Sequence, residues 1–186
     1  MISLLVAYTK DKRVIGAQGK IPWNLSSERN RFKELCRGKY VIMGRKSFEE
    51  IGKPLSYCKL IVVSKTWIAS SLTAFAPRND VGSLSLSKGL EICSSLQEAF
   101  AFCKEQGQEE ILVAGGGEIY RQALPYATKI YATEIDAHFE GDTFFPELDD
   151  SWQSAVESTH EENGVSYKYI TLQKGIPKQV RDDTII

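Results

Sequence analysis

The sequence predicts an α/β fold, a mostly parallel sheet with helices on its faces. Two observations carry that prediction. Residues 2–8, 40–44, 59–65, 110–114 and 129–135 form nearly continuous apolar runs, the mark of strands buried on both faces. Segments with helical signals alternate with these runs, which is the order of a parallel sheet crossed over by helices. At 186 residues the chain suits one domain, large enough to build a core without disulfides.

The first strand, Ile2-Ser3-Leu4-Leu5-Val6-Ala7-Tyr8, leads into a polar loop over residues 11–19 that carries Gly16 and Gly19. A glycine-bearing loop of this length is either a plain connection or a lid beside a site. Pro22 and Trp23 extend it, because proline fixes φ and keeps the residue before it out of the helical region. Ser26 or Ser27 then offers the N-cap of a helix running to about Cys36, with Leu25, Phe32, Leu35 and Cys36 as its apolar stripe. Glu28 falls on that stripe and not on the wet face. It reads either as a routine first-turn carboxylate or as a half-buried acid facing a pocket beside Trp23 and Phe32. Burial raises a carboxyl's pKa, which suits a group that must hold a proton near neutrality.

Tyr40-Val41-Ile42-Met43-Gly44 is a second strand and runs into a short helix at residues 45–51. A third strand, residues 59–65, ends in Ser64-Lys65. Residues 66–94 have weak periodicity and predict one or two edge strands. Ser95-Leu96-Gln97-Glu98 is a capping box for a helix to about Gln106. The fourth strand, residues 110–114, passes through Gly115-Gly116-Gly117 into a helix over residues 118–124, stopped at Pro125. Residues 129–135 form a fifth strand; residues 152–158 and 166–172 form a closing antiparallel pair around Asn163-Gly164. No repeat or internal linker is visible, and residues 175–186 read as a loosely held tail.

Composition excludes several classes. Lys and Arg total 23 against 24 Asp and Glu, for a formal charge of −1 and no basic excess to suggest nucleic acid. Cys36, Cys58, Cys93 and Cys103 contain no C-x-x-C pair, and His138 and His160 give no zinc-ligand spacing. Such thiols favour a reducing compartment, so a cytoplasmic protein is expected. The apolar start is too short for a signal peptide and no run approaches a membrane span.

Three strands end in groups suited to phosphate. Gly44-Arg45-Lys46-Ser47 and Gly115-Gly116-Gly117 each join a strand to a helix, and Ser64-Lys65 ends another. Each alone reads equally as a tight turn or a solvated surface pair. Together, at strand carboxyl ends, they predict a nucleotide. The glycine run is not a dinucleotide fingerprint, because Tyr120 stands where the third glycine of G-x-G-x-x-G would be, and no P-loop is present.

These pieces, in this order, resemble dihydrofolate reductase. The resemblance covers residues 1–174. It rests on Val14-Ile15-Gly16, Ile21-Pro22-Trp23-Asn24-Leu25, Phe32-Lys33, Val41-Ile42-Met43-Gly44-Arg45-Lys46-Ser47-Phe48, Ile51-Gly52-Lys53-Pro54-Leu55, Val113-Ala114-Gly115-Gly116-Gly117-Glu118-Ile119-Tyr120, and Glu140-Gly141-Asp142-Thr143-Phe144-Phe145-Pro146. It implies a twisted, mainly parallel sheet of about eight strands flanked by four helices. It also implies reduction of 7,8-dihydrofolate by hydride transfer from NADPH, in a monomer that antifolate inhibitors would target.

By the same resemblance Glu28 is the acid of the pterin pocket, Thr133 orients it by a hydrogen bond, and Trp23 packs at the mouth. Leu5, Val6, Ala7, Phe32, Ile51, Leu55, Ala114 and Tyr120 would line the pterin and nicotinamide sites. Ala7, Ile15, Gly19, Lys20, Ile21, Gly44, Val63, Glu118, Ile119 and Tyr120 would meet the cofactor. Arg45, Ser64 and Lys65 would take its 2′-phosphate, and Lys46, Ser47, Gly115, Gly116 and Gly117 its pyrophosphate and neighbouring groups. Residues 16–24 match a loop that closes over the nicotinamide, with Gly141-Asp142 beside it.

The chain departs from the family in one important place. An arginine that clamps the substrate's glutamate tail is usual three residues after Leu55, and here that position is Cys58. Loss of a bidentate arginine–carboxylate contact weakens binding unless another cation replaces it. Arg29 and Lys33, at i and i+4 beside Glu28, could do so. Ala114 is smaller than the branched residue usual there and leaves room at the pocket wall, where an antifolate's fit could change. Two rival readings share the fold: the pyrimidine reductase of riboflavin synthesis, which needs a phosphate site in place of the acid, and a non-catalytic nucleotide-binding protein.

Overall fold

A computed structural model describes residues 1–65 and 89–175. Eight strands form one sheet: β1 (Ile2–Thr9), β3 (Tyr40–Gly44), β4 (Lys59–Val63), β5 (Leu90–Cys93), β6 (Ile111–Val113), β7 (Lys129–Asp136), β9 (Trp152–Glu162) and β10 (Val165–Lys174). Their order is β5-β4-β3-β6-β1-β7-β10-β9. Pairing is parallel from β5 through β7, and β10 runs antiparallel to both β7 and β9. A separate ribbon pairs β2 (Val14–Gly16) with β8 (Thr143–Phe144). The helices are α1 (Ser26–Cys36), α2 (Arg45–Ile51), α3 (Leu96–Glu105) and α4 (Gly117–Ala123). The expected α/β class and its element count both hold among the described residues.

Alternation along the apolar runs divides the core into two layers. Leu4, Val6, Ile42, Ile61 and Val113 pack toward α3 and α4, which contribute Leu96, Phe100, Cys103, Ile119 and Ala123. Leu5, Val41, Met43, Leu60, Val62 and Leu112 pack the other way, against Cys36 of α1 and Phe48 of α2. A third cluster of Trp23, Leu25, Ile135 and Tyr167 closes the layer under the start of α1.

Several ends differ from expectation. Neither Ser26 nor Ser27 caps α1; its N-cap is Leu25, with no side-chain cap. The carboxylate of Glu162, at the end of β9, takes the Ser26 and Ser27 N–H groups at 2.7 and 3.0 Å and also both hydroxyls. An anion at a helix N-terminus satisfies orphan donors and the dipole together, so the cap comes from a distant strand. Protein hydrogen bonds hold the Glu162 carboxyl down near pKa 2.

Ser95 does cap α3, accepting from the Glu98 N–H at 3.2 Å, but the Glu98 carboxylate reaches back to Ser94. Pro125 does not stop α4 sharply, because Leu124–Tyr126 continues as a 3-10 turn containing it. The terminal hairpin turns through Asn163 and Gly164, both at positive φ, and its strands are longer than their apolar pattern suggested. Of the edge strands expected within residues 66–94, β5 lies at the sheet edge. Residues 66–88 and the expected tail after residue 175 lie outside the described residues.

Candidate active site

The site follows from where β1 and β6 part. Their pairing covers three residues, ending at Leu4 with Val113, whereas β1 and β7 stay paired from Ser3 to Thr9. Beyond Leu4 the two central strands therefore diverge at their carboxyl ends, the place where open α/β sheets bind ligands. Tyr120 of α4 fills the split, its hydroxyl donating to the Leu5 carbonyl at 2.6 Å.

Two cavities meet there. The larger, about 810 Å³, runs along the carboxyl ends of β4, β3 and β6, which are neighbours in the sheet. It is lined by Arg45, Lys46 and Ser47 after β3, Ser64 and Lys65 after β4, and Gly116 and Gly117 after β6. Arg45 is also paired with Glu49 at 2.7 Å. The backbone comes close here: Gly44 N–H donates to the Gly115 carbonyl at 2.7 Å, and a Cβ on Gly116 would lie 3.0 Å from Ser47 Oγ. A side chain there would need Ser47 to give way by a few tenths of an ångström. A cation-lined trough of this size fits a dinucleotide.

The smaller cavity, about 390 Å³, is apolar apart from a few groups. Leu5, Val6, Ala7, Phe32, Met43, Ile51, Leu55, Ala114 and Tyr120 form its walls, with Glu28 and Trp23 on one side and Arg29 at its rim. Ile15, Ser47, Glu50 and Gly116 line both cavities and mark their junction. Burial pushes the Glu28 carboxyl up to about pKa 7, against the opposing pull of the Arg31 and Arg29 guanidiniums. Glu28 is both a first-turn carboxylate of α1 and half-buried, lining the smaller cavity. Trp23 is buried, edge-on to Phe139 at 5.7 Å, and its Nε1 has no hydrogen-bond partner.

A loop covers the junction. Asp142 takes the Gln18 N–H at 2.9 Å and gives its own N–H to the Gly16 carbonyl at 3.1 Å. Gly141 packs so closely on the ribbon that an added Cβ would run into the Val14 side chain and the Gly16 carbonyl. Farther along, the Ile21 N–H donates to Glu50 Oε1 of α2 at 2.8 Å. The expected neighbourhood of residues 16–24 with Gly141 and Asp142 is present.

Every residue expected to meet the cofactor lines one of the two cavities, and so does every expected substrate residue except Lys33. Lys33 lies a turn beyond Arg29 on the exposed side of α1, its Nζ 5.9 Å from the centre of the Tyr57 ring. Thr133 is buried on β7, but it does not hydrogen-bond Glu28; its Oγ1 accepts from Arg31 Nη1 at 3.4 Å. Cys58 lines neither cavity and belongs to the core with Leu5 and Cys36. Tyr57 and Met43 do line the smaller cavity and Arg13 and Arg121 the larger. Met43 was visible only as a strand residue; Tyr57 and the two arginines carry no local signal that separates them from ordinary surface positions.

An acid that keeps its proton near neutrality, in an apolar compartment joined to a phosphate-suited trough, is the arrangement of a nicotinamide-dependent oxidoreductase. The family model described as dihydrofolate reductase matches residues 1–174, and the chain belongs to the dihydrofolate reductase family. It is 35% identical over 180 residues to the dihydrofolate reductase type 3 of Salmonella typhimurium, covering 94% of this chain and 99% of that protein. It is 36% identical over 178 residues to the dihydrofolate reductase of Bacillus subtilis (strain 168), covering 94% and 95%. With that of Haemophilus influenzae it shares 34% over 176 residues, covering 92% and 98%.

Proposed function

We propose that the protein reduces 7,8-dihydrofolate to 5,6,7,8-tetrahydrofolate with NADPH and so supplies one-carbon metabolism. The observation that carries this reading is Glu28, protonated near neutrality in the apolar cavity where it joins the cation-lined trough. The cofactor supplies a hydride and the medium a proton, which together saturate the imine bond of the pterin. Glu28 holds the pterin's amino group and ring nitrogen and supports protonation of the imine nitrogen. The apolar walls, with Phe32 and Ile51 among them, exclude water and hold the ring flat against the junction. Arg45, Ser64 and Lys65 at adjacent strand ends favour the additional phosphate of NADPH over NADH.

Thr133 acts on Glu28 indirectly, through Arg31. The pyrimidine reductase of riboflavin synthesis would need a phosphate site where Glu28 and Trp23 stand. We place the protein in the cytoplasm, a reading supported by its buried free thiols, and take it as a monomer, as the resemblance to the family implies. No described helix is long and apolar enough to cross a membrane. Antifolates that mimic the pterin would compete for the same cavity.

The test is NADPH oxidation with dihydrofolate across pH, comparing the parent with Glu28→Gln. The folded pKa of Glu28 is raised to about 7, so the proton it holds is present below that value and lost as pH rises through it. The parent is expected to turn over well at pH 6 and to fall roughly tenfold per unit above about pH 7 to 8. Glu28→Gln is expected to lose about a hundredfold or more at pH 7, with partial recovery at low pH where solvent supplies the proton. Tight NADPH binding without turnover in the parent would instead support a binding protein.

A further inference from the structure

Arg31 is the side chain behind the acid. It sits three residues after Glu28 on α1, so the two are neighbours on the helix surface. Its guanidinium is nearly buried, with 11% of the side chain exposed. Nη1 donates to the Ala132 carbonyl at 3.0 Å and reaches Thr133 Oγ1 at 3.4 Å, both on β7. The guanidinium carbon lies 4.2 Å above the Tyr169 ring of β10. Nη2 pairs with Glu157 Oε2 of β9 at 3.0 Å.

Glu157 is aimed there by a break in the sheet. Tyr169 pairs with Ser158 and Ile170 with Val156, so Glu157 is the extra residue of a β-bulge. Bulges of this kind redirect one side chain at the cost of a ladder bond. Thr171 donates to the other Glu157 oxygen and fixes its orientation. Three strands and a bulge thus hold one buried cation in a single place. Packing between α1 and the sheet would be served as well by an apolar side chain, without the desolvation of a charge.

We infer that Arg31, oriented by Glu157, Thr133 and Tyr169, is a positioning residue that sets the proton affinity of Glu28 and with it the pH range of turnover. The inference rests on the reductase reading for its functional consequence, but not for its electrostatics. A cation three residues along the same helix favours the ionised carboxylate, and Glu157 tempers it by neutralising part of the charge. The other groups that face Glu28 are Arg29 on its own helix, Tyr120 of α4 and Tyr169 of β10. Glu50 of α2 and Tyr57 before β4 line the same cavity. Burial of Glu28 opposes Arg31 and Arg29 and outweighs them. Arg31 therefore acts as a brake on an otherwise larger rise. Without it the acid would stay protonated, and hold its substrate as a neutral group, to about one pH unit higher.

The test titrates Glu28 directly in the ligand-free protein by carbon NMR of its labelled carboxyl group, assigned by loss of the signal in Glu28→Gln. Arg31→Met is expected to raise the midpoint by about 1 pH unit, and Arg31→Lys to bring it most of the way back. Glu157→Gln, which leaves the guanidinium less neutralised, is expected to move it down. Opposite shifts from the two partners are the signature, since a purely structural pillar would move neither, or both the same way. An unchanged midpoint in a folded Arg31→Met protein overturns the inference. Should Arg31→Met fail to fold, Glu157→Gln decides alone, and an unchanged or raised midpoint overturns it. The alkaline limb of NADPH-dependent turnover should follow the same shifts. Absence of any turnover with dihydrofolate would count against the reductase reading and leave the NMR result standing.

Discussion

At the scale of the residue, we propose that Arg29 takes over part of the tail recognition that Cys58 cannot supply. Its side chain belongs to the core, where burial pushes the thiol up to about pKa 11, so it offers neither charge nor reach. Among the described residues Arg29 is the one cation lining the smaller cavity, braced by Asn24 Oδ1 at 2.6 Å. A charge-assisted contact is worth about 1.5–3 kcal/mol, roughly ten- to a hundredfold in affinity. Arg29→Ala is therefore expected to raise KM for dihydrofolate about tenfold or more with kcat nearly kept, the pattern of lost uniform binding. The assay belongs at pH 6, where Glu28 is protonated with or without Arg29. An unchanged KM would mean that the tail is held elsewhere or left free. The missing arginine and the proximity of Arg29 to Glu28 were both legible in the sequence. The solvent-facing turn of Lys33 was not, because i and i+4 spacing fixes a face of the helix but not where the cavity's rim ends. Thr133 misled for a related reason: its Oγ1 accepts from Arg31, an interaction 102 residues apart that no local pattern announces.

At the scale of the element, strands were legible and their partners in space were not. Long apolar runs name β1, β3, β4 and β7 outright, since burial on both faces leaves little room for polar residues. The cap of α1 shows the limit. Ser26 and Ser27 satisfy every local rule for an N-cap, yet Glu162 takes their N–H groups from 135 residues away or more. A tertiary carboxylate there outcompetes a hydroxyl. The turn from β6 to α4 is the opposite case, because its three glycines announce their own necessity. Gly115 sits at φ +123°, where an L side chain is strained even though an added Cβ would only touch Ser47 Oγ at 3.4 Å and Tyr120 at 3.5 Å. Strain of this kind costs about 1–3 kcal/mol. Gly115→Ala is expected to weaken NADPH binding roughly tenfold or more, as the turn shifts away from the trough. Quenching of tryptophan fluorescence on NADPH titration reads it. Unaltered affinity with a lowered melting temperature would show that the strain is absorbed outside the turn.

At the scale of the whole molecule, the alternation that built two core layers also distributes the thiols between them. Cys36 and Cys58 lie in the layer with α1 and α2, and Cys93 and Cys103 in the layer with α3 and α4. All four are buried and free. Burial pushes Cys58, Cys93 and Cys103 up to about pKa 11 and Cys36 higher still. The thiolate is the reactive species, so the native protein presents almost none near neutrality. A thiol reagent at pH 8 can then reach them only through opening of the fold, and the rate of labelling reports that opening. Because the trough spans β3, β4 and β6, a nucleotide bound there stabilises the folded state relative to any opening that separates those strands. At a hundred times its Kd, NADPH is expected to slow labelling of all four cysteines by about a hundredfold. Mass spectrometry of the modified chain distinguishes the cases. Four thiols slowed together mean that the two layers open as one cooperative unit, joined through the sheet they share. A pair that labels at its original rate in saturating NADPH would mean that one layer opens without the other.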